Sequence, residues 1–196
     1  AIARFQRGRN QFRILAVKQP TAAGQGKMSF TDDNGASWTI VNIGGAAAAH
    51  GVLFQKGLFI YSQNLLLIAS NGGYIYRSVD AGASWTAVES GVITATALNA
   101  VHMADDKYGL AVGGGVDIVA VTVNGGQNWA AAAANPGSTV ALNTCWALDR
   151  YRWWVGSANG RLYYTSDGGT TWTRRTGWTG DGVGQVRDIW FLNSLV

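Results

Sequence analysis

The sequence predicts an all-β fold made of repeated small sheets, and two features indicate it. An eight-residue pattern recurs as TDDNGASW (31–38), SVDAGASW (78–85), TVNGGQNW (122–129) and TSDGGTTW (165–172), and its four tryptophans are 47, 44 and 43 residues apart. A period of roughly 40–50 residues is typical of stacked or radial repeat arrays. Short apolar runs of strand length also precede the patterns, and turn-forming residues end them. Together these features predict repeated short strands rather than helices.

Each repeat contains the signals of four strands. An apolar run such as LLLIAS (65–70) leads through a glycine turn to an alternating run such as YIYRS (74–78). The eight-residue pattern follows, and a short run that starts at its tryptophan closes the unit. Segments 97–105, 141–149 and 185–193 align at intervals of 44 residues and fit the innermost strand that opens a unit. Four-stranded units of about 45 residues are the blades of a β-propeller.

The repeat predicts blades at residues 1–42, 43–90, 91–135 and 136–180, with 186–193 as the inner strand of a further blade. Two explanations of this extra strand remain open. Either it completes the first blade of a closed four-bladed ring, or the chain is part of a larger propeller. We expect the second, because the sequence stops on an apolar strand and lacks an initiator methionine. An open apolar edge would otherwise invite aggregation.

The eight-residue pattern, called the box below, has a structural explanation as the turn between the third and fourth strands of a blade. Its third residue can accept hydrogen bonds from backbone N–H groups of the turn, and its fifth can supply a positive φ. Its tryptophan can bury a large ring against a neighbouring blade. We therefore expect the four box tryptophans to be largely buried. Structural roles are expected for Asp33, Gly35, Trp38, Asp80, Gly82, Trp85, Asn124, Gly126, Trp129, Asp167, Gly169 and Trp172.

The box resembles the Asp-box, or bacterial neuraminidase repeat. This repeat occurs in sialidases, xyloglucan-cleaving glycosidases, sortilin-type receptors and propellers of the photosystem II assembly-factor type. The resemblance covers nearly the whole chain, and four copies in phase make it specific. It implies the propeller fold. It does not imply one function, because the group includes glycosidases, receptors and assembly factors.

Composition adds few constraints. The chain has 196 residues, of which 47% are hydrophobic and 13% charged, so it can bury a sizeable core as one repeat domain. The single Cys145 lies in a predicted inner strand and is expected to be a small core residue. No apolar run is long enough for a spanning helix. His50 and His102 lack a metal-ligand cluster and no phosphate loop is visible, so no cofactor is expected.

Arginine and tryptophan are concentrated near the end of the sequence. The net charge is +4, and the five tryptophans outside the boxes all follow residue 145. Arginine favours bidentate contacts with carboxylates or phosphates. A nucleic-acid partner is not expected, because the charge is modest and no recognition motif is present. The candidate partner-binding residues are Trp178, Arg152, Arg174, Arg175 and Arg187.

The residues needed for glycoside hydrolysis are poorly represented. FRIL (12–15) is similar to a sialidase signature, with Leu15 in place of its proline, but it falls on a repeated strand position. The sequence has one glutamate, Glu89, next to a predicted outer strand, which argues against sialidase chemistry. Xyloglucan-type hydrolysis needs two carboxylates across a cleft. Such a pair would have to come from Asp105, Asp106, Asp149, Asp181 and Asp188.

The sequence therefore predicts a non-catalytic propeller module for interaction or assembly, with a protein or glycan partner. Low charge, Ala and Gly richness and degenerate boxes suit an extracellular, cell-surface or virion-surface component. Oligomerisation is possible. The alternative is a glycoside hydrolase of the Asp-box propeller type, closer to xyloglucanases than to sialidases.

Overall fold

The computed structural model describes residues 2–8, 11–18, 26–43, 58–62, 64–70, 73–89, 97–178 and 180–191, which form sixteen strands and no helix. Blade 1 contains β1 (Ile2–Gly8), β2 (Gln11–Lys18), β3 (Lys27–Thr31) and β4 (Thr39–Asn42). Blade 2 contains β5 (Leu58–Ser62), β6 (Leu65–Ala69), β7 (Tyr74–Ser78) and β8 (Thr86–Glu89). Blade 3 contains β9 (Leu98–Met103), β10 (Gly109–Gly113), β11 (Val119–Thr122) and β12 (Ala130–Ala131). Blade 4 contains β13 (Leu142–Ala147), β14 (Trp153–Ser157), β15 (Leu162–Thr165) and β16 (Thr173–Arg175).

Each blade is a separate antiparallel sheet whose four strands pair in chain order. The predicted all-β propeller architecture is therefore confirmed. Strands β6 and β10 are buried at every residue. Both faces of these strands are covered, which explains why their sequences do not alternate between apolar and polar residues as a strand with one solvent-exposed face would. The described residues offer no helix that could cross a membrane.

Strand pairing aligns the four blades residue by residue. Each second strand carries one residue that pairs with the third strand at an equivalent position; these are Leu15, Leu67, Leu110 and Trp154. The three leucines pack against the following blade. Their partners on the third strands are Phe30, Arg77, Val121 and Tyr164. The fourth strands add Val41, Val88 and Arg175 at one shared position, which Ala132 holds directly after β12. We call the side of a blade that carries these residues its forward face, and the opposite side its rear face.

The core lies between successive blades. Leu15 and Met28 of blade 1 pack with Leu66, Ile68 and Tyr76 of blade 2. A second cluster joins blades 2 and 3, and a third joins blades 3 and 4. The inner strands also contact one another in chain order, β1 with β5, β5 with β9 and β9 with β13. Each joint thus places a forward face against the rear face of the next blade.

The burial of the box tryptophans differs from the prediction in blade 1. Trp129 is 6% exposed and packs on blade 2, while Trp85 and Trp172 are half-buried against blades 1 and 3. Trp38 is 47% exposed. The physical reason is directional, because a box tryptophan covers the forward face of the preceding blade. No blade covers Trp38 within the described part of the chain.

The expected inner strand at 186–193 is a second difference. Residues 186–191 carry no strand, and 192–193 lie outside the described residues. A strand requires a ladder with a neighbouring strand, and no strand that could pair with this segment on its far side is described. Its position nevertheless follows the repeat. Val186 N donates to Ser157 O (3.1 Å), as Leu98 N donates to Ser70 O (2.9 Å) where blade 3 meets blade 2.

Candidate interaction surface

Each box folds as a closed network of hydrogen bonds. In the last box, Thr165 Oγ1 donates to Asp167 Oδ1 (2.7 Å) and accepts from Gly169 N (3.0 Å). Thr171 N and Thr171 Oγ1 donate to the two oxygens of the same carboxylate, at 2.9 and 2.5 Å. The same arrangement recurs around Asp33 and Asp80, and in reduced form around Asn124. The carboxylates are thereby engaged within their own turns.

These hydrogen bonds favour the ionised carboxylate. The Thr171 hydroxyl, followed by its N–H group, lowers the pKa of Asp167 to about 2. The Ser37 hydroxyl holds the pKa of Asp33 well below its usual range. The pKa of Asp80 is also lowered: burial raises it, but hydrogen bonds from Ser84 and Ser78 outweigh that effect. Hydrogen bonding to the charged form is the common cause.

Arginine side chains fasten two of the joints between blades. Arg13 is 5% exposed, pairs with Asp32 (Nε to Oδ1, 2.7 Å) and donates from Nη1 to Ala81 O in the next box (2.9 Å). Arg77 Nε donates to Gly125 O (2.7 Å), the same position of the following box. Arg13 is the arginine of FRIL, so its partners in the described structure belong to a blade joint. This role of Arg13 was not predicted from the sequence, because both of these partners are distant from Arg13 in the chain.

Most of the carboxylates considered for hydrolysis are engaged in local contacts. Asp105 and Asp149 occupy one repeat position and accept from backbone N–H groups of the turn between the first and second strands. Asp181 pairs with Arg174 (2.8 Å), and Asp188 accepts from Ile189 N. Asp106 is exposed. Among the described residues, no group of three or more His, Cys, Asp and Glu side chains could hold a metal ion.

Two further groups lie where blades 3 and 4 meet. Cys145 is buried, as expected, and burial raises the pKa of its thiol. His102 Nδ1 accepts from Ala147 N (3.2 Å), and its ring lies 4.1 Å from that of Trp146. Burial lowers the pKa of His102 to about 4, so the ring is neutral at pH 7.

The forward face of blade 4 differs chemically from the others. At the position where blades 1–3 have a fully buried leucine, blade 4 has Trp154. Tyr164 lies 4.6 Å from Trp154 between ring centroids, and the Arg175 guanidinium lies 4.9 Å above the Tyr164 ring. Arg175 is exposed and occupies the position of Val41, Val88 and Ala132. The leucine and the small aliphatic residue that the other forward faces share are therefore replaced by Trp154 and Arg175.

The tail, residues 183–191, lies across this face. Val186 fits against Gly156, where an added Cβ would come within 2.4 Å of Val186 Cγ1. The Phe191 ring is 5.9 Å from both Trp146 and Trp154, and Trp190 is 5.7 Å from Trp146. Trp190 keeps 75% of its surface exposed. The ring contacts that begin at Trp154 therefore end at a solvent-exposed ring, that of Trp190.

The structure separates the five residues that the sequence suggested for partner binding. Arg175 lies on the forward face of blade 4, and the exposed Arg187 lies in the tail beside it. Arg152 pairs with Asp149 in the turn between β13 and β14, at the end of the blade that carries the box. Arg174 pairs with Asp181, and Trp178, 40% exposed, follows β16 at the opposite end. Trp154, Tyr164 and Trp190 were not among the sequence candidates.

Comparison with solved structures shows the same fold at low identity. The GH74 xyloglucanase of Xanthomonas campestris matches 89% of this chain with a TM-score of 0.62 and 15% identity. The GH74 enzyme of Niastella koreensis matches 82% with a TM-score of 0.52 and 22% identity, and YCF48 from Cyanidioschyzon merolae matches 62% with 0.53 and 19%. The matched regions are 31%, 22% and 40% of those chains. No family model and no curated protein matches this chain.

These likenesses support the propeller architecture. The neighbours include GH74 enzymes as well as YCF48, so they favour neither catalysis nor its absence. The chain spans less than half the length of each, and any function has to be argued from its own residues.

Proposed function

We propose that this chain is a non-catalytic propeller module of Asp-box type that binds a protein or glycan partner through the forward face of blade 4. One observation carries the proposal. Blade 4 places Trp154 and Arg175 where the other blades place leucine and small aliphatic residues, and Tyr164 lies against both side chains. Tryptophan, tyrosine and arginine are among the residues most enriched at binding surfaces.

The arrangement of the carboxylates supports a binding role over hydrolysis. Retaining and inverting glycosidases need two carboxyl groups roughly 5–10 Å apart, with different protonation states. Asp105 and Asp149 serve their turns, and Asp181 is paired with Arg174. We further propose an extracellular, cell-surface or virion-surface setting, for which low charge and Ala and Gly richness are the supporting features.

A binding screen tests the proposal. The full chain is applied to a glycan array and to a library of immobilised peptides, in parallel with Tyr164→Ala and Arg175→Ala variants. We expect a specific ligand whose signal falls at least tenfold in both variants. Tyr151→Ala is the matched control, because Tyr151 is also a tyrosine of blade 4 but lies exposed in the turn between β13 and β14. Its signal should be unchanged.

Two outcomes would contradict the proposal. A ligand that binds equally well to both face variants would place the binding surface elsewhere. Turnover of xyloglucan or a sialoside by the purified chain would favour the alternative, a glycoside hydrolase. A variant with Asp181→Asn and Asp188→Asn would then test whether these carboxylates carry the reaction.

A further inference from the structure

Among the described residues, nothing fills the rear face of blade 1 as a preceding blade fills those of blades 2 and 3. In boxes 2 and 3, the fifth residue lies against leucine of the preceding blade: a Cβ on Gly82 would be 2.8 Å from Leu15, and one on Gly126 would be 3.1 Å from Leu67. In the first box, the only described atoms that a Cβ on Gly35 would meet within 4 Å belong to the ring of Trp38. Trp38 and Ile40 are 47% and 65% exposed. The first box thus has the shape of the others without a covering blade.

The hydrogen bond that an arginine makes across the other joints has no described counterpart at the first box. Arg13 and Arg77 each donate to the carbonyl of the fourth box residue in the next blade, Ala81 and Gly125, and both acceptor residues are buried. The equivalent residue of the first box is Asn34, which shares their left-handed conformation (φ 58°) and is exposed. A donor from a preceding forward face would complete the pattern.

The forward face of blade 4 offers the matching half. The Arg175 guanidinium lies over Tyr164, and Tyr164 holds the register position of Arg77. Blade 4 therefore places a cation beside the position from which Arg77 reaches the next box. The aromatic rings of Trp154 and Tyr164 stand where Trp38 would meet apolar side chains. The two faces are therefore complementary in both polarity and position.

We propose that a second copy of this chain is the partner, with its blade 1 docked on the forward face of blade 4. The contact is head-to-tail, joining the first box and Trp38 of one copy to Trp154, Tyr164 and Arg175 of the other. It continues an interface that already occurs between consecutive blades. Contacts of this type generate a closed ring or an open chain of copies. The inference rests on the proposed function, since it names the partner of the same face.

The tail competes with this docking. Inner strands contact one another in chain order, so the inner strand β1 of a docked copy would follow β13 in the series. The tail already lies there, held by the bond from Val186 N to Ser157 O and by ring contacts of Trp190 and Phe191. Loosening the tail should therefore favour association.

Sedimentation velocity of the full chain, from about 1 to 200 µM, tests the inference, because self-association depends on concentration. We expect reversible association at the upper end. Arg175→Ala and the double variant Trp38→Ala/Ile40→Lys should each weaken it at least tenfold. Val116→Lys, which changes a residue that is 67% exposed in the turn between β10 and β11, is the control and should leave it unchanged. Trp190→Ala/Phe191→Ala should strengthen it several-fold.

The outcomes separate this inference from the proposed function. A chain that stays monomeric at every concentration, or association that survives both joint variants, overturns the second copy as partner. Unchanged or weaker association of Trp190→Ala/Phe191→Ala overturns the competition by the tail. Loss of glycan or peptide binding in Arg175→Ala, in a chain that is always monomeric, would leave the proposed function in place.

Discussion

The carboxylates of the boxes show how one side chain can define a turn. Asp167 accepts from a hydroxyl before it and from a hydroxyl and N–H groups after it. Every one of these donors lies within four residues in the sequence. This is why residue types and spacing alone predicted the structural role of Asp33, Asp80 and Asp167. The positive φ of Ala81 was not anticipated, because it follows from the tightness of the turn, whereas Asn34 at the same position is a residue type that tolerates this conformation.

Acid titration tests the role of Asp167. Its pKa is about 2 in the fold and about 3.8 without its partners, so its stabilising effect is complete above pH 4 and is lost as the pH falls toward 2. Asp167→Asn should therefore unfold at lower denaturant concentration at pH 6 and lose less stability than the wild type between pH 4 and 2. Urea midpoints at several pH values measure this. Parallel pH curves for the two proteins would contradict it.

His102 should titrate far below a normal histidine. Its pKa of about 4 lies below the ordinary 6.5, so the unfolded chain binds a proton first as the pH falls. Stability is therefore expected to decrease from pH 6.5 to 4, in addition to the effect of the carboxylates. NMR of a His50→Gln variant isolates the His102 ring, which should keep neutral chemical shifts at pH 5.5. A pKa near 6.5 would show that the ring is not buried against blade 4.

Individual blades follow the sequence prediction closely, while the joints do not. Strand order and box position could be read from apolar runs and turns, because each blade is formed by local antiparallel pairs. The Arg13 contact with Ala81 and the Arg77 contact with Gly125 join residues 68 and 48 positions apart. No local pattern encodes such distances. For the same reason the sequence pointed to Trp178 and missed Trp154, whose surroundings depend on the tail.

Replacing Arg13 should destabilise the joint between blades 1 and 2. Arg13→Met removes the partner of Asp32 and the donor to Ala81 O, and we expect a loss of about 2–4 kcal/mol. Arg152→Met is a matched control, because it breaks an exposed ion pair with Asp149 and should cost under about 1 kcal/mol. Urea unfolding measures both. Equal losses would mean that Arg13 does not hold a joint.

We expect the tail to lie on blade 4 only because Gly156 has no side chain. A methyl group at this position would clash with Val186, so Gly156→Ala should displace the tail and speed amide exchange at Val186. Adding Val186→Gly in the same chain removes both clashing atoms, Val186 Cβ and Cγ1, and should restore much of the protection. Gly114→Ala is the control, because its Cβ would have ordinary contacts of 3.5 Å or more. Unchanged amide exchange at Val186 in Gly156→Ala would mean that Val186 does not pack against Gly156.

The described residues form a series of blades in which Trp85, Trp129 and Trp172 each cover the blade before their own. This direction accounts for the burial of Trp129, the partial burial of Trp85 and Trp172, and the exposure of Trp38. It also leaves two unlike faces, a rear face with Trp38 and a forward face with Trp154 and Arg175. The proposed partner surface follows from that asymmetry.

Denaturant unfolding of the four box Trp→Ala variants, at low protein concentration, tests this directional packing most directly. Burial predicts the largest loss for Trp129→Ala, about 3–4 kcal/mol, and about 1–2 kcal/mol for Trp85→Ala and Trp172→Ala. Trp38→Ala should cost the least, under about 1 kcal/mol, because 47% of its surface is exposed and no described blade packs on it. Its box is otherwise built like the rest, so it serves as the internal control. A loss for Trp38→Ala equal to that for Trp129→Ala would contradict the account.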